Sequence, residues 1–276
     1  MENKKELIFS SPTFFKRIKR MLGVDFYRLF NTPLFYIFLS IAAIIPAMIL
    51  GTSGMENPQT GEVAKALYEN TFHLIASPTN KLAFSDISEY ANMNMVFIFG
   101  GIMVSIFIGR DYKSGYVKQL FTTHAKKEDY MISKTLTCAF AMACMCITYL
   151  IGTIAGGLFA GASFTVNLGG LICAVIGKMF MSLGWAGLYT FLNIIFRKYF
   201  GISIASSFFF GTGLLVIGIG SIVGESVASI FLYGASVSAC LEANILTVLL
   251  CLVVSICWAV IYNVVGTHVL DNSDVY

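Results

Sequence analysis

The chain has 276 residues, 57% hydrophobic and 12% charged, with a formal net charge of +3 and a mean hydropathy of +0.78. Soluble domains carry charge on roughly a quarter of their residues, so half that share leaves too little polar surface to cover a water-soluble fold of this size. The apolar residues form continuous helix-length blocks without period-two alternation, which excludes a strand barrel and predicts an all-α polytopic membrane protein.

The predicted elements begin on the cytoplasmic side, with residues 1–33 carrying an interfacial helix. Ser11-Pro12 reads as its start, Ser as cap and Pro at the first helical position. Phe14, Phe15, Ile18, Met21, Leu22, Phe26 and Leu29 share an arc of roughly 140° at helical pitch, with Lys16, Lys19, Arg20 and Tyr27 outside it. Asp25 falls inside the apolar arc and needs a cation there, either Arg28 or a basic residue of the next cytoplasmic segment. Asn31-Thr32-Pro33 ends the helix, because a residue before proline avoids helical geometry.

A bilayer core takes roughly 20 apolar residues of helix, and charge-free gaps of that length place six spans at 34–51, 90–109, 135–158, 177–196, 200–222 and 244–267. The first is too long and too poorly followed by small residues to be a cleaved signal. Residues 52–89 form an extracellular segment, in which 62–75 suits a short amphipathic helix. Residues 223–243 are too greasy for an ordinary loop and too short to cross, and are expected as an extracellular re-entrant hairpin. The whole of 1–276 is expected as one transmembrane domain.

Lysine and arginine set the orientation. Seven precede span one (Lys4, Lys5, Lys16, Arg17, Lys19, Arg20, Arg28), Arg110, Lys113, Lys118, Lys126, Lys127 and Lys134 lie between spans two and three, and Arg197-Lys198 between four and five. The other side has Lys65 and Lys81 among five acids. Both termini are therefore predicted cytoplasmic, and the charge is a topology signal with no bearing on nucleic acid.

Lys178 at the centre of a span would cost about 2.5–3.5 kcal/mol; a span starting near Gly177 lets it snorkel to the outer interface, with 169–176 as a re-entrant or interfacial piece. "GLICAVIGKM" resembles a phosphate loop but has Ile172 where Gly is needed and Met179 where Ser or Thr is needed, so no nucleotide site is expected. The seven cysteines lie almost entirely in apolar runs and, with His73, His124 and His268 scattered, predict neither disulfides nor a metal. Gly152/Gly156, Gly157/Gly161 and Gly220/Gly224 are small-xxx-small pairs for close helix packing. No acid falls inside a span and no protease constellation occurs, so the energy source is expected on another chain.

The cytoplasmic coupling segment, 110–134, is more than a topogenic loop. Ser114 is placed to cap a short helix with an apolar side of Tyr116, Val117, Leu120 and Phe121 facing the cytosol, and Glu128-Asp129 suit the positive end of the following helix. Asp111-Tyr-Lys-Ser-Gly115, then Lys118, Lys126-Lys127 and Ser133-Lys134, resembles the pattern of type-2 ATP-binding-cassette export permeases, a group including bacitracin-resistance, lantibiotic-immunity and sodium-efflux permeases. Tyr116 stands where Thr is usual, and His124-Ala125-Lys126 replaces the common proline-then-arginine turn. The resemblance implies a dimeric, non-enzymatic permease of a bacterial plasma membrane that exports a substrate such as an amphipathic or antimicrobial peptide. ATP and magnesium would be held by separate cytoplasmic ATPase subunits docked on Asp111, Ser114, Gly115, Tyr116, Val117, Lys118, Leu120 and Phe121. A self-sufficient carrier or channel, and a non-transporting sensor or scaffold, are the alternatives. The substrate-binding residues are not legible.

Overall fold

A computed structural model describes residues 13–52, 87–123, 125–159, 168–223, 225–241 and 244–272. Every regular element among them is helical, the outcome expected of apolar chain whose backbone groups must be satisfied within each segment. Ser11-Pro12, the 62–75 helix, most of 52–89 and His124 lie outside the described residues.

Helix α1, Phe14–Phe30, has Thr13 at its N-cap and meets α2, Pro33–Thr52, at 65°. The corner is closed by side chains that bond back one turn: Asn31 Nδ2 donates to the Tyr27 carbonyl at 2.7 Å and Thr32 Oγ1 to the Arg28 carbonyl at 2.6 Å. Helix α3 is Ile87–Lys113, α4 is Tyr116–Thr122 and α5 is Lys127–Phe159, opening on Glu128 and Asp129 in its first turn as expected. Helix α6, Leu168–Ile195, is followed by α7, Phe200–Gly211, and α8, Leu214–Val223. Two short helices, α9 (Glu225–Ala228) and α10 (Leu232–Leu241), precede α11, Ile245–Asp271.

Four of these helices have the length and apolar composition to cross a bilayer, within α3, α5, α6 and α11, and the number rises to five if α1 and α2, bent at their junction, count as one span. The expected fifth span is instead two pieces. The chain breaks at Gly213, whose φ of +69° suits glycine, and a Cβ there would overlap the Tyr233 ring. Span four also departs from expectation. Helix α6 runs unbroken from Leu168, so Gly177 lies inside it. Lys178 does not reach outward; it is 7% exposed, with its ammonium 5.8 Å from the Tyr149 ring centroid.

The bundle is held by close backbone approaches. A Cβ at Gly152 would overlap the Ala43 carbonyl and one at Gly156 would come within 2.6 Å of Ala47 Cα, so this small-xxx-small pair seats α5 directly on α2. On the other side Ser255 of α11 donates to the Phe180 carbonyl at 2.6 Å and accepts from the Gly184 amide at 2.8 Å, bridging one rung of α6. Helix α10 packs between α6 and α11, with Leu232, Tyr233, Ala235 and Val237 buried. The greasy segment before α11 thus contains two short helices, the second of them largely buried.

Candidate functional site

Asp25 projects from the apolar face of α1 and is 1% exposed. Its arc rests on α5, with Leu29 buried and Ile18, Met21, Leu22 and Phe26 half-buried, while Phe14 and Phe15 are exposed. The carboxylate meets the cation that its position demanded. Lys134, one-quarter of the way along α5 and 0% exposed, places Nζ 2.5 Å from Asp25 Oδ1 and 2.7 Å from Asp111 Oδ2. Ser133 Oγ donates to the second Asp25 oxygen at 2.6 Å. Arg28, one turn after Asp25 on α1, pairs with Asp111 Oδ1 at the end of α3.

Two acids and two bases thus form a neutral buried cluster that ties α1, α3 and α5 together. Each ion taken from water loses several kcal/mol of hydration, and only close opposite partners offset that. Aromatic faces complete the enclosure: Nζ of Lys134 lies 4.7 Å from the Phe107 centroid, 5.5 Å from Tyr130 and 5.7 Å from Tyr116. Arg28 Nη1 has no hydrogen-bond acceptor, but its guanidinium carbon lies 4.1 Å from the Tyr116 ring centroid. Burial pulls the Arg28 pKa down, and the Asp111 charge and hydrogen bond more than reverse this, leaving it above its ordinary value.

The same end of the bundle carries two further ties. Arg17 Nε donates to Asp129 Oδ2 at 2.7 Å, joining α1 to the start of α5, and that hydrogen bond holds the guanidinium pKa above its ordinary value. Lys127 Nζ donates to the Leu270 carbonyl at 2.6 Å and lies 3.5 Å from Asp271, placing a cation where the α11 dipole ends negative.

Helix α4 sits on this cluster. Gly115, at φ +74°, occupies its N-cap with no side-chain cap bond, so Ser114 does not cap it; the Ser114 hydroxyl reaches back to the Asp111 carbonyl at 3.3 Å. The apolar side of α4 is turned inward, correcting the expectation that it faces the cytosol. Val117 is 1% exposed within a small core with Tyr130, Met131, Ile194 and Leu270. Phe121 packs edge-on against Tyr130 at 5.7 Å, and Tyr116 lies over Arg28. The exposed face consists of Lys118, Gln119 and Thr122. A short helix so fastened is a rigid knob with a polar outer surface.

Of the residues singled out in the sequence, Asp111, Gly115, Tyr116, Val117 and Phe121 converge here with Asp25, and Phe14 and Phe15 stay apart. Arg28 and a basic residue of the 110–134 segment were offered as partners of Asp25; the pairing of Arg28 and Lys134 with Asp111, and the parts of Ser133 and Tyr130, were not foreseen. The signal for Lys134 was a lysine carried past the first turn of an otherwise apolar helix, beyond its acids Glu128 and Asp129. A second polar seam was missed altogether: Asn193 of α6 donates to Ser105 of α3 at 3.1 Å and accepts from Ser203 of α7, while Ser105 and Ser207 hydroxyls lie 2.9 Å apart. These bonds attach the short α7 to the bundle. The chain matches no protein-family model and no curated protein.

Proposed function

We propose that this chain is the membrane-spanning permease subunit of an ATP-binding-cassette exporter of the type-2 kind, with α4 as the helix that receives force from a separate ATPase. The carrying observation is that a seven-residue helix, too short to persist alone, is seated through Val117, Phe121 and the Tyr116 ring on a charge cluster that joins three longer helices. Force applied to α4 would reach α1 and α5 through Asp111 and Lys134, and α11 through Lys127. In this reading the basic end of the bundle is cytoplasmic, α7 and α8 together make a sixth crossing broken at Gly213, and two copies pair in a bacterial plasma membrane. A cleft of about 200 Å³ bordered by Trp185, Phe210, Tyr233 and Trp258 offers aromatic surface to an amphipathic peptide.

The test asks first whether a neighbouring reading frame encodes a soluble protein with a Walker A loop, whose absence would count against the reading, and then co-expresses the two. The complex should co-purify, and Gln119→Glu with Thr122→Glu should abolish substrate-stimulated ATP hydrolysis while membrane insertion and thermal stability hold. Ion- or potential-driven flux from the purified chain alone would instead establish a self-sufficient carrier.

A further inference from the structure

We propose that the aromatic cleft beside the break at Gly213 is a binding site for an uncharged lipophile carrying one or two fused aromatic rings. Among the described residues six rings border it: Trp185 of α6, Phe210 of α7, Phe231 just before α10, Tyr233 of α10, and Trp258 and Tyr262 of α11. The break makes the space. The backbone at Gly213 lies against the Tyr233 ring, and α8 beyond it packs chiefly on α7 and α9, so Val216 and Ile219 close the cleft on one side without filling it. A dry apolar cavity of about 150 Å³ holds benzene, and this cleft, at about 200 Å³, has room for a second ring.

The arrangement of the rings selects the guest. Aromatic faces carry negative partial charge and edges positive. Trp185 stacks on Phe97 at 5.4 Å and on Tyr189 at 5.5 Å, and Trp258 on Phe231 at 6.0 Å and on Tyr262 at 5.4 Å. Both indoles thus engage their faces with neighbours and are left with edges for a guest. An edge attracts the face of a guest ring in T-shaped contact and repels an organic cation, which needs an open face within about 6 Å. A saturated guest of the same size gains the burial without that contact. An exported peptide would enter here by an aromatic side chain; that step rests on the transport reading, whereas binding itself needs no ATPase.

Trp185 and Trp258 are the two tryptophans of the chain and both border the cleft, so all indole fluorescence reports from its wall. The test uses the full chain in phosphatidylcholine nanodiscs, with 1-bromonaphthalene as a heavy-atom quencher and concentrations taken per bilayer lipid. Quenching should saturate, and unbrominated naphthalene should reverse it at a concentration about five-fold lower than decalin requires. A naphthylmethyl-trimethylammonium ion should not reverse it. Val216→Phe and Ile219→Phe each place a ring in the space from the lightly packed α8, and each should weaken binding about ten-fold with the thermal midpoint unchanged; should one variant not fold, the other decides. Quenching that rises linearly, as from a probe merely dissolved in lipid, equal reversal by decalin, reversal by the cation, or full affinity in a folded plug variant each overturns the proposal. Because no ATPase is present, failure here leaves the permease reading of the chain intact, and failure of ATPase docking leaves the cleft site intact.

Discussion

Replacing Lys134 by Met removes one ammonium and leaves the Asp25 and Asp111 carboxylates buried together with Arg28 as their sole cation in the cluster. Both acids are about 1% exposed or less, so water does not restore what is lost, and breaking a buried pair from one side costs about 3–5 kcal/mol. Asp25→Leu leaves the reverse imbalance, but Lys134 keeps Asp111 at 2.7 Å and three aromatic faces, so the loss should fall near the lower figure, about 3 kcal/mol. The double variant removes one charge of each sign and leaves Arg28 paired with Asp111. Apolar replacement of a whole buried pair is often close to neutral, so the double variant should be no worse than either single one. With a double loss no greater than about 3 kcal/mol, the cycle should return a coupling of at least about 3 kcal/mol. Equilibrium unfolding of the four purified proteins in mixed micelles measures it. Losses that add within about 0.5 kcal/mol would refute the claim that these side chains form one electrostatic unit.

Other outcomes follow from the packing. Gly152→Leu forces α2 off α5, and should destabilise by at least the about 1–3 kcal/mol of ordinary overpacking, with a change in cross-linking between cysteines placed on the two helices. Asn193→Ala should cost only about 1–2 kcal/mol, since hydrogen bonds between membrane helices average well under that each; a loss matching Lys134→Met would show that the polar seam carries more than attachment. Phe121→Ala should cost about 1–2 kcal/mol through its half-buried contact with Tyr130, whereas Gln119→Ala should not change the unfolding midpoint.

Much of the architecture was legible in the sequence because lipid leaves few choices. Charge-free blocks marked each long helix, Asn31-Thr32-Pro33 marked the corner after α1, and a lone Asp25 on an apolar arc announced a buried cation. The cation was legible only as a basic residue of the 110–134 segment; that it is Lys134 was not, since this lysine lies far along the chain and shares no local period with Asp25. The facing of α4 failed for a related reason. Its periodicity reveals an apolar side, but Tyr130 and Leu270, which cover that side, come from α5 and α11. Gly213 was hidden among 25 glycines, its need set by the Tyr233 ring rather than by its neighbours in sequence. Lys178 was misplaced because an apolar run gives no sign that a ring such as Tyr149 waits for an ammonium.

The contact of α2 with α5 through Gly152 and Gly156 has a mechanical corollary. Two backbones in direct touch forfeit that packing when they part and grind against Cβ and carbonyl atoms when they slide, so this pair is expected to travel as a single plank in any working cycle. Relative movement is left to the partners on the far side, where α7 hangs from α3 and α6 by a few hydroxyl and amide bonds that can be exchanged one for another at small cost.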